Sequence, residues 1–155
     1  MAKVIVKWYV HTGAAAVSAF FGHGKKSVMK NVIKYPSIAL SLENVGKQLP
    51  LMETSLDNLR MCTIKMVYND KRSSTLTEAR TSKWNTMKKK SFSRLPPDEE
   101  SHSLHAERVN YICYVNFNYM CKEALSSPKD NGWTIQDGKC YPLRYNKPAL
   151  QSHVY

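Results

Sequence analysis

Residues 18–34 read SAFFGHGKKSVMKNVIK. Small apolar residues and two phenylalanines lead into Gly22, His23 and Gly24, and Lys25, Lys26 and Ser27 follow. Glycine tolerates φ > 0, so the pattern predicts a tight turn feeding a helix over 27–34, with Val28, Val32 and Ile33 on one face. The first N–H groups of a helix have no partner inside it and, with the helix dipole, favour an anion. Lys25 and Lys26 add positive charge at the same place. This is the shape of a helix-hairpin-helix turn, whose natural ligand is a phosphate of a nucleic-acid backbone. An ordinary interhelical connection with solvated lysines explains the same residues, because short Gly/Lys patterns recur by chance. A Walker A loop is excluded: Ala19 stands where its first glycine belongs, and Lys26 where Ser or Thr must follow the lysine.

Outward from this turn the chain reads mainly as helix. Residues 3–10, KVIVKWYV, are rich in β-branched and aromatic residues and predict a strand. Residues 14–21 form a short helical or turn-forming piece. Pro36 ends the 27–34 helix, and Ser37 caps a further helix through Val45, stopped by Gly46. Residues 50–69 predict a longer helix, with Leu51, Leu56, Leu59, Cys62, Met66 and Val67 at helical spacing. After a loop at 70–74 comes a weakly apolar helix over 75–90, anchored by Leu76, Ala79, Trp84 and Met87. It closes on Lys88, Lys89 and Lys90, which complement the helix dipole whether or not they bind anything.

Leu95, Pro96 and Pro97 break the chain, and Asp98, Glu99 and Glu100 suit a helix start. A central helix follows over 101–125, apolar nearly all round; β formers leave a strand at 111–119 as the alternative. Asp137-Gly138 between apolar runs at 133–136 and 139–145 predicts a hairpin. The tail, 147–155, shows no element. The fold class expected is mainly α, a multi-helix domain with a helix-hairpin-helix-like turn and a small C-terminal β-hairpin. Its two regions, 1–94 and 95–155, form one compact unit.

The chain has 155 residues, 43% of them apolar, and a net charge of +11. Such charge speaks to partners rather than fold and favours nucleic acid or another anionic surface over a basic substrate. The excess sits in the first two thirds: residues 60–94 hold ten basic and two acidic side chains, whereas from residue 95 six basic meet seven acidic ones. The four cysteines, Cys62, Cys113, Cys121 and Cys140, fit no zinc spacing. His102 and His105 lie one helical turn apart, too far along the helix from Cys113 and Cys121 for one tetrahedral site. They are expected to be exposed, and the thiols of Cys113 and Cys121 buried. Lys3 and Lys7 interrupt any signal-peptide core, and no run is long enough to span a membrane. A reducing, nuclear or cytoplasmic setting with free thiols is expected.

Several segments carry a resemblance in a fixed order: YVHTGAAAVSAFFGHGKKSVMK, then LTEARTSKW, then SFSRLPPDEESHSLHAERVNYICYV, then NGWTIQDGKCYPLRY. Together they resemble a family of uncharacterised animal proteins linked to mobile elements, and they cover nearly the whole chain. The family's first motif, H-x-x-T-G-C-D-T-x-S-x-F-x-G-x-G-K-K, is in turn similar to flap-endonuclease and PIN-like nucleases, in which an Asp helps to hold divalent metals and the turn grips DNA. The resemblance implies phosphate binding by Gly22, Gly24, Lys25 and Lys26. The chain departs from it at Tyr9, where the family has His, and at Ala14, Ala15 and Ala16, where the family has Cys-Asp-Thr. Alanine neither ligates a metal nor moves a proton, and two-metal hydrolysis needs several carboxylates. The upstream carboxylate-bearing half of such nucleases has no counterpart here, so a C-terminal fragment or degenerate copy is expected.

The function expected is therefore that of a non-catalytic remnant binding nucleic acid, duplex DNA with low sequence specificity. The contact residues are Gly22, Gly24, Lys25, Lys26, Ser27, Lys30, Lys88, Lys89 and Lys90. No catalytic residue, metal, cofactor or membrane partner is expected, and the oligomeric state stays open. The alternatives are a protein-interaction or structural fragment, and part of a metal-dependent nuclease whose catalytic half lies elsewhere.

Overall fold

The structure, a computed structural model, describes residues 2–14, 16–121 and 125–144. Ala15, residues 122–124 in the expected 101–125 helix, Tyr145 at the end of the expected hairpin, and the 147–155 tail lie outside them. The architecture is mainly helical with one small antiparallel hairpin. The helices are α1 (Ala2–His11), α2 (Lys25–Lys34), α3 (Pro36–Leu40), α4 (Glu53–Cys62), α5 (Leu76–Thr86) and α6 (Glu99–Asn118). The strands are β1 (Trp133–Gln136) and β2 (Lys139–Pro142).

The strand expected over 3–10 is instead helix α1. Val4, Lys7, Trp8 and His11 are buried and spaced i, i+3, i+4, i+7 as one helical face, and Val10 beside them is buried too. A lysine and a histidine in that face disguise the period. Lys7 is accommodated because its amine donates to the Glu43 carbonyl at 2.6 Å and lies 5.2 Å from the centre of the Phe117 ring. Tertiary burial here overrides β propensity. The alternative strand at 111–119 is also absent, because α6 runs through to Asn118.

Two expected helices are interrupted. The 37–45 segment splits into α3 and a 3₁₀ turn over Ser41–Asn44. The 50–69 helix begins at Glu53 and passes at Thr63–Val67 into a π-helical turn. That turn is buried at Thr63, Ile64, Met66 and Val67, and the extra residue in a π turn lets so many neighbours face inward. Helix α5 starts on a capping box: Thr75 accepts from the Glu78 N–H at 3.1 Å, and Glu78 reaches back to Thr75 N–H. It ends at Thr86, short of the lysine triplet.

One core joins both regions of the chain. Trp8, Val10, Val28, Leu42, Leu59 and Met66 pack with Ala106, Val109 and Cys113 of α6. Gly46 lies flush against α6 at φ +76, where an added Cβ would sit 2.4 Å from the Cys113 Cβ. Asn110 fixes this contact, accepting from the Gly46 N–H at 2.7 Å and donating to the Gln48 carbonyl at 2.9 Å. The hairpin pairs Trp133 with Pro142 through Gln136 with Lys139. Asp137 and Gly138 both have positive φ, as a type I′ turn demands. Arg108 on α6 holds its open end, donating to the Gly132 and Leu143 carbonyls at 3.3 and 3.0 Å.

Candidate nucleic-acid interface and the adjoining cavity

The helix-hairpin-helix-like turn joins α1 to α2 through an irregular connection over residues 12–24. Gly22 has φ +78, which a side chain rarely adopts. Gly24 does not share this need: as N-cap of α2 it is extended, at φ −75 and ψ 151, with open space where a Cβ would stand. The expectation of positive φ thus holds at Gly22 alone. No side chain caps α2 and no acidic residue stands in its first turn, so its leading N–H groups are available to an outside anion. A prediction follows. Gly24→Ser keeps the fold and changes stability by a few tenths of a kcal/mol, whereas Gly22→Ala costs about 1 kcal/mol. Urea unfolding of the two variants checks this, and equal losses would contradict the dihedral assignment.

The expected lysines divide by what they touch. Lys25 is exposed yet folds back onto α1: its amine donates to the Tyr9 carbonyl at 2.8 Å and to the Gly13 carbonyl, and lies 3.7 Å from the centre of the Tyr9 ring. It satisfies carbonyls at the C-terminal end of α1, and partial burial lowers its pKa. Lys26, Ser27 and Lys30 are exposed. In the triplet, Lys90 folds back onto the Trp84 carbonyl and ring, while Lys88 and Lys89 stay exposed.

The structure adds Tyr68, Lys83 and Phe92 to His23 and Trp84, which the sequence places in the turn and on the 75–90 helix. The His23 ring lies 4.4 Å from that of Tyr68. Burial, then the positive charge of Lys83 on α5, lower the His23 pKa, so α5 supplies a cation beside the turn. Trp84 stacks on Phe92 with ring centres 4.9 Å apart and planes 21° from parallel, and Phe92 is exposed. The Lys90 amine lies 5.1 Å from the centre of the Trp84 ring, so the pair carries a cation, an arrangement suited to a base stacking over a cationic surface.

His102 and His105, expected to be exposed, are buried, and His11 joins them. Of the two thiols expected to be buried, Cys113 is, but Cys121 is exposed. The Thr63 hydroxyl donates to the Leu59 carbonyl at 3.0 Å and lies 3.1 Å from His11 Nε2 and 2.9 Å from His102 Nε2. A hydroxyl has one proton, so both imidazoles must donate to it, and their Nδ1 atoms are left as the unpartnered buried acceptors. His105 Nε2 donates to the His11 carbonyl at 3.0 Å, and its Nδ1 faces the Ser18 hydroxyl at 3.4 Å. Burial pushes the His102 pKa down to about 3 and that of His105 to about 4, and drives His11 well below the ordinary value. All three are neutral donors knitting α1, α4 and α6 together. Among the described residues no group of His, Cys, Asp or Glu is arranged to hold a metal ion.

Beside this cluster opens a cavity of about 410 Å³. Ser18 and Phe21 line it from the approach to the turn, Leu95 from the Leu-Pro-Pro break, His105 and Arg108 from α6, and Arg144 from beyond β2. Chain segments widely separated in sequence thus meet at one place. A neighbouring hollow of about 540 Å³ shares Ser18, Arg108, Leu143 and Arg144 and reaches Trp133. No helix among the described residues is long and apolar enough to cross a membrane.

Comparison of the chain with family models, with curated proteins and with solved structures returns no match.

Proposed function

We propose that this chain binds nucleic acid through the phosphate backbone, without catalysis and with little sequence preference. The observation that supports this most directly is the uncapped start of α2, free of acidic residues, with Lys26 and Lys30 exposed and Lys83 brought alongside. Backbone N–H groups and lysines then address the same phosphates. Lys88 and Lys89, with the Trp84–Phe92 stack, extend the surface. Lys25 acts indirectly, by fastening the end of α1 to the turn. Ala14 and Ala16 offer no metal ligand, in keeping with a binding rather than a hydrolytic role. The relation to mobile-element proteins and to flap-endonuclease-like nucleases belongs to the same proposal, as does a nuclear or cytoplasmic location.

The test is a salt titration of duplex DNA binding. Lys26→Ala with Lys30→Ala is expected to reduce the magnitude of the log K against log[salt] slope by up to about two units, since each phosphate contact contributes about 0.9. Lys25→Ala should leave the slope nearly unchanged while lowering stability. Duplex recovered from Mg²⁺-containing mixtures should be intact. An unaltered slope and affinity in the double variant would place the contact elsewhere.

A second reading has one observation in its favour. A largely apolar hollow of about 270 Å³ lies between α1 and α2, lined by Ile5, Trp8, Tyr9, Val28 and Met29. Ile5 and Tyr9 are exposed there, as a protein-interaction fragment would have them. Failure of the wild type to bind any nucleic acid at low salt would favour this reading.

A further inference from the structure

We propose that the cavity beneath Arg108 is a binding site for a nucleoside monophosphate, distinct from the backbone-binding surface at α2. Arg108 is 8% exposed, and no carboxylate stands within ion-pair distance of it among the described residues. A buried guanidinium without a counter-ion is costly, and burial lowers its pKa even though Glu107 acts in the opposite sense. Among the described residues only its Nη1 is engaged, by the Gly132 and Leu143 carbonyls. The remaining donors belong to a side chain that lines both the cavity and its neighbouring hollow.

The rest of the wall fits a phosphate. Arg144 adds a second guanidinium, and Ser18 and Ser93 add hydroxyls, while the Ser101 hydroxyl is already donated to the Asp98 carboxylate at 2.9 Å; among the described residues no aspartate or glutamate lines the space. Guanidinium forks match phosphate oxygens in pairs. His105 is neutral and contributes polarity rather than charge. Phe21 and Tyr68 also line the wall; Phe21 is 61% exposed and can meet a planar ring. The Tyr68 hydroxyl is held by the Leu95 carbonyl at 3.0 Å, which fixes that ring. A volume of about 410 Å³ lies within the usual range for small-ligand sites. One anionic end and one flat apolar end are the two demands that a nucleotide meets.

The experiment is a titration of the full chain with deoxythymidine 5′-monophosphate, followed by backbone and arginine Nε–H resonances, with inorganic phosphate and thymidine as separate arms. The mononucleotide is expected to shift resonances of Ser18, Phe21, Arg108 and Arg144 and to bind with a Kd below about 1 mM. Phosphate alone and thymidine alone should bind at least about tenfold more weakly, since each meets one demand only. Arg144→Glu, on an exposed side chain that the fold does not need, should weaken mononucleotide binding about tenfold or more. Phe21→Ala should do so by a smaller factor, and Lys26→Ala with Lys30→Ala not at all. Absence of shifts at about 10 mM, shifts confined to the α2 start, or full affinity in Arg144→Glu would overturn the proposal. Those outcomes leave the duplex salt slope untouched, so the cavity and the backbone surface stand or fall separately.

Discussion

Acidification from about pH 7.5 to about pH 5 should remove about 4 kcal/mol of stability through His102 and His105 together, with His11 acting in the same direction. The folded state holds these imidazoles neutral, with His102 lowered from 6.5 to about 3 and His105 to about 4. In the unfolded chain each protonates near its ordinary value. Between that value and the folded one the unfolded state binds more protons, so stability is complete above about pH 6.5 and falls as pH falls. The loss continues until the folded-state values themselves are reached. Neighbouring charges act in the same direction: Arg60 and Arg108 lower the pKa of His102 and His105, respectively, further. Asp70, Glu78 and Asp98 have lowered pKa values, so their contributions disappear only at lower pH. Since whole domains are stable by about 5–15 kcal/mol, the chain should unfold in mildly acidic buffer. Urea midpoints at a series of pH values measure this. A His102→Gln variant should be less stable at neutral pH and show a shallower slope. Stability that stays level between about pH 7 and pH 5 would mean that the histidines are not held neutral.

Gly46→Ala should cost about 3 kcal/mol, combining strain from the left-handed backbone with overpacking. The new methyl would stand 2.4 Å from the Cys113 Cβ and 2.8 Å from its carbonyl carbon, a helix backbone that cannot give way. Gly138→Ala is the control. Its φ is +70 but nothing lies within 4 Å of the added atom, so only the dihedral cost of about 1 kcal/mol remains. Equal losses in the two variants would show that the loop at Gly46 moves off α6.

The elements set by neighbours in sequence were legible in advance. Asp98 before Glu99, and Asp137 with Gly138, each declare a helix start or a turn through local hydrogen bonding and dihedral preference. Helix α1 was hidden because Lys7 and His11 occupy its inward face, and their burial depends on Glu43, Phe117 and Thr63, which are far away in sequence. The histidines misled for the same reason. A sequence shows His102 and His105 one turn apart, but nothing local says that Thr63 will arrive between His11 and His102. At the candidate interface the glycines and lysines marked the place, whereas the bond of Lys25 back to α1 and the approach of Lys83 are products of tertiary packing. The cavity is less visible still, since Ser18, Leu95, Arg108 and Arg144 come together only when α6 and the hairpin dock.

The π-helical turn at Thr63–Val67 carries a consequence for the length of the chain. Such a turn is an α-helix carrying one supernumerary residue. Deleting any one of those five positions would restore ordinary winding at about 100° per residue, and the flanking chain would keep its phase, because the wide turn absorbs its extra residue locally. The loss would be an inward position: Thr63, Ile64, Met66 and Val67 are all buried in the turn, and one of them would be deleted or turned outward. This segment therefore tolerates substitution of one apolar residue by another far better than the loss of a single codon.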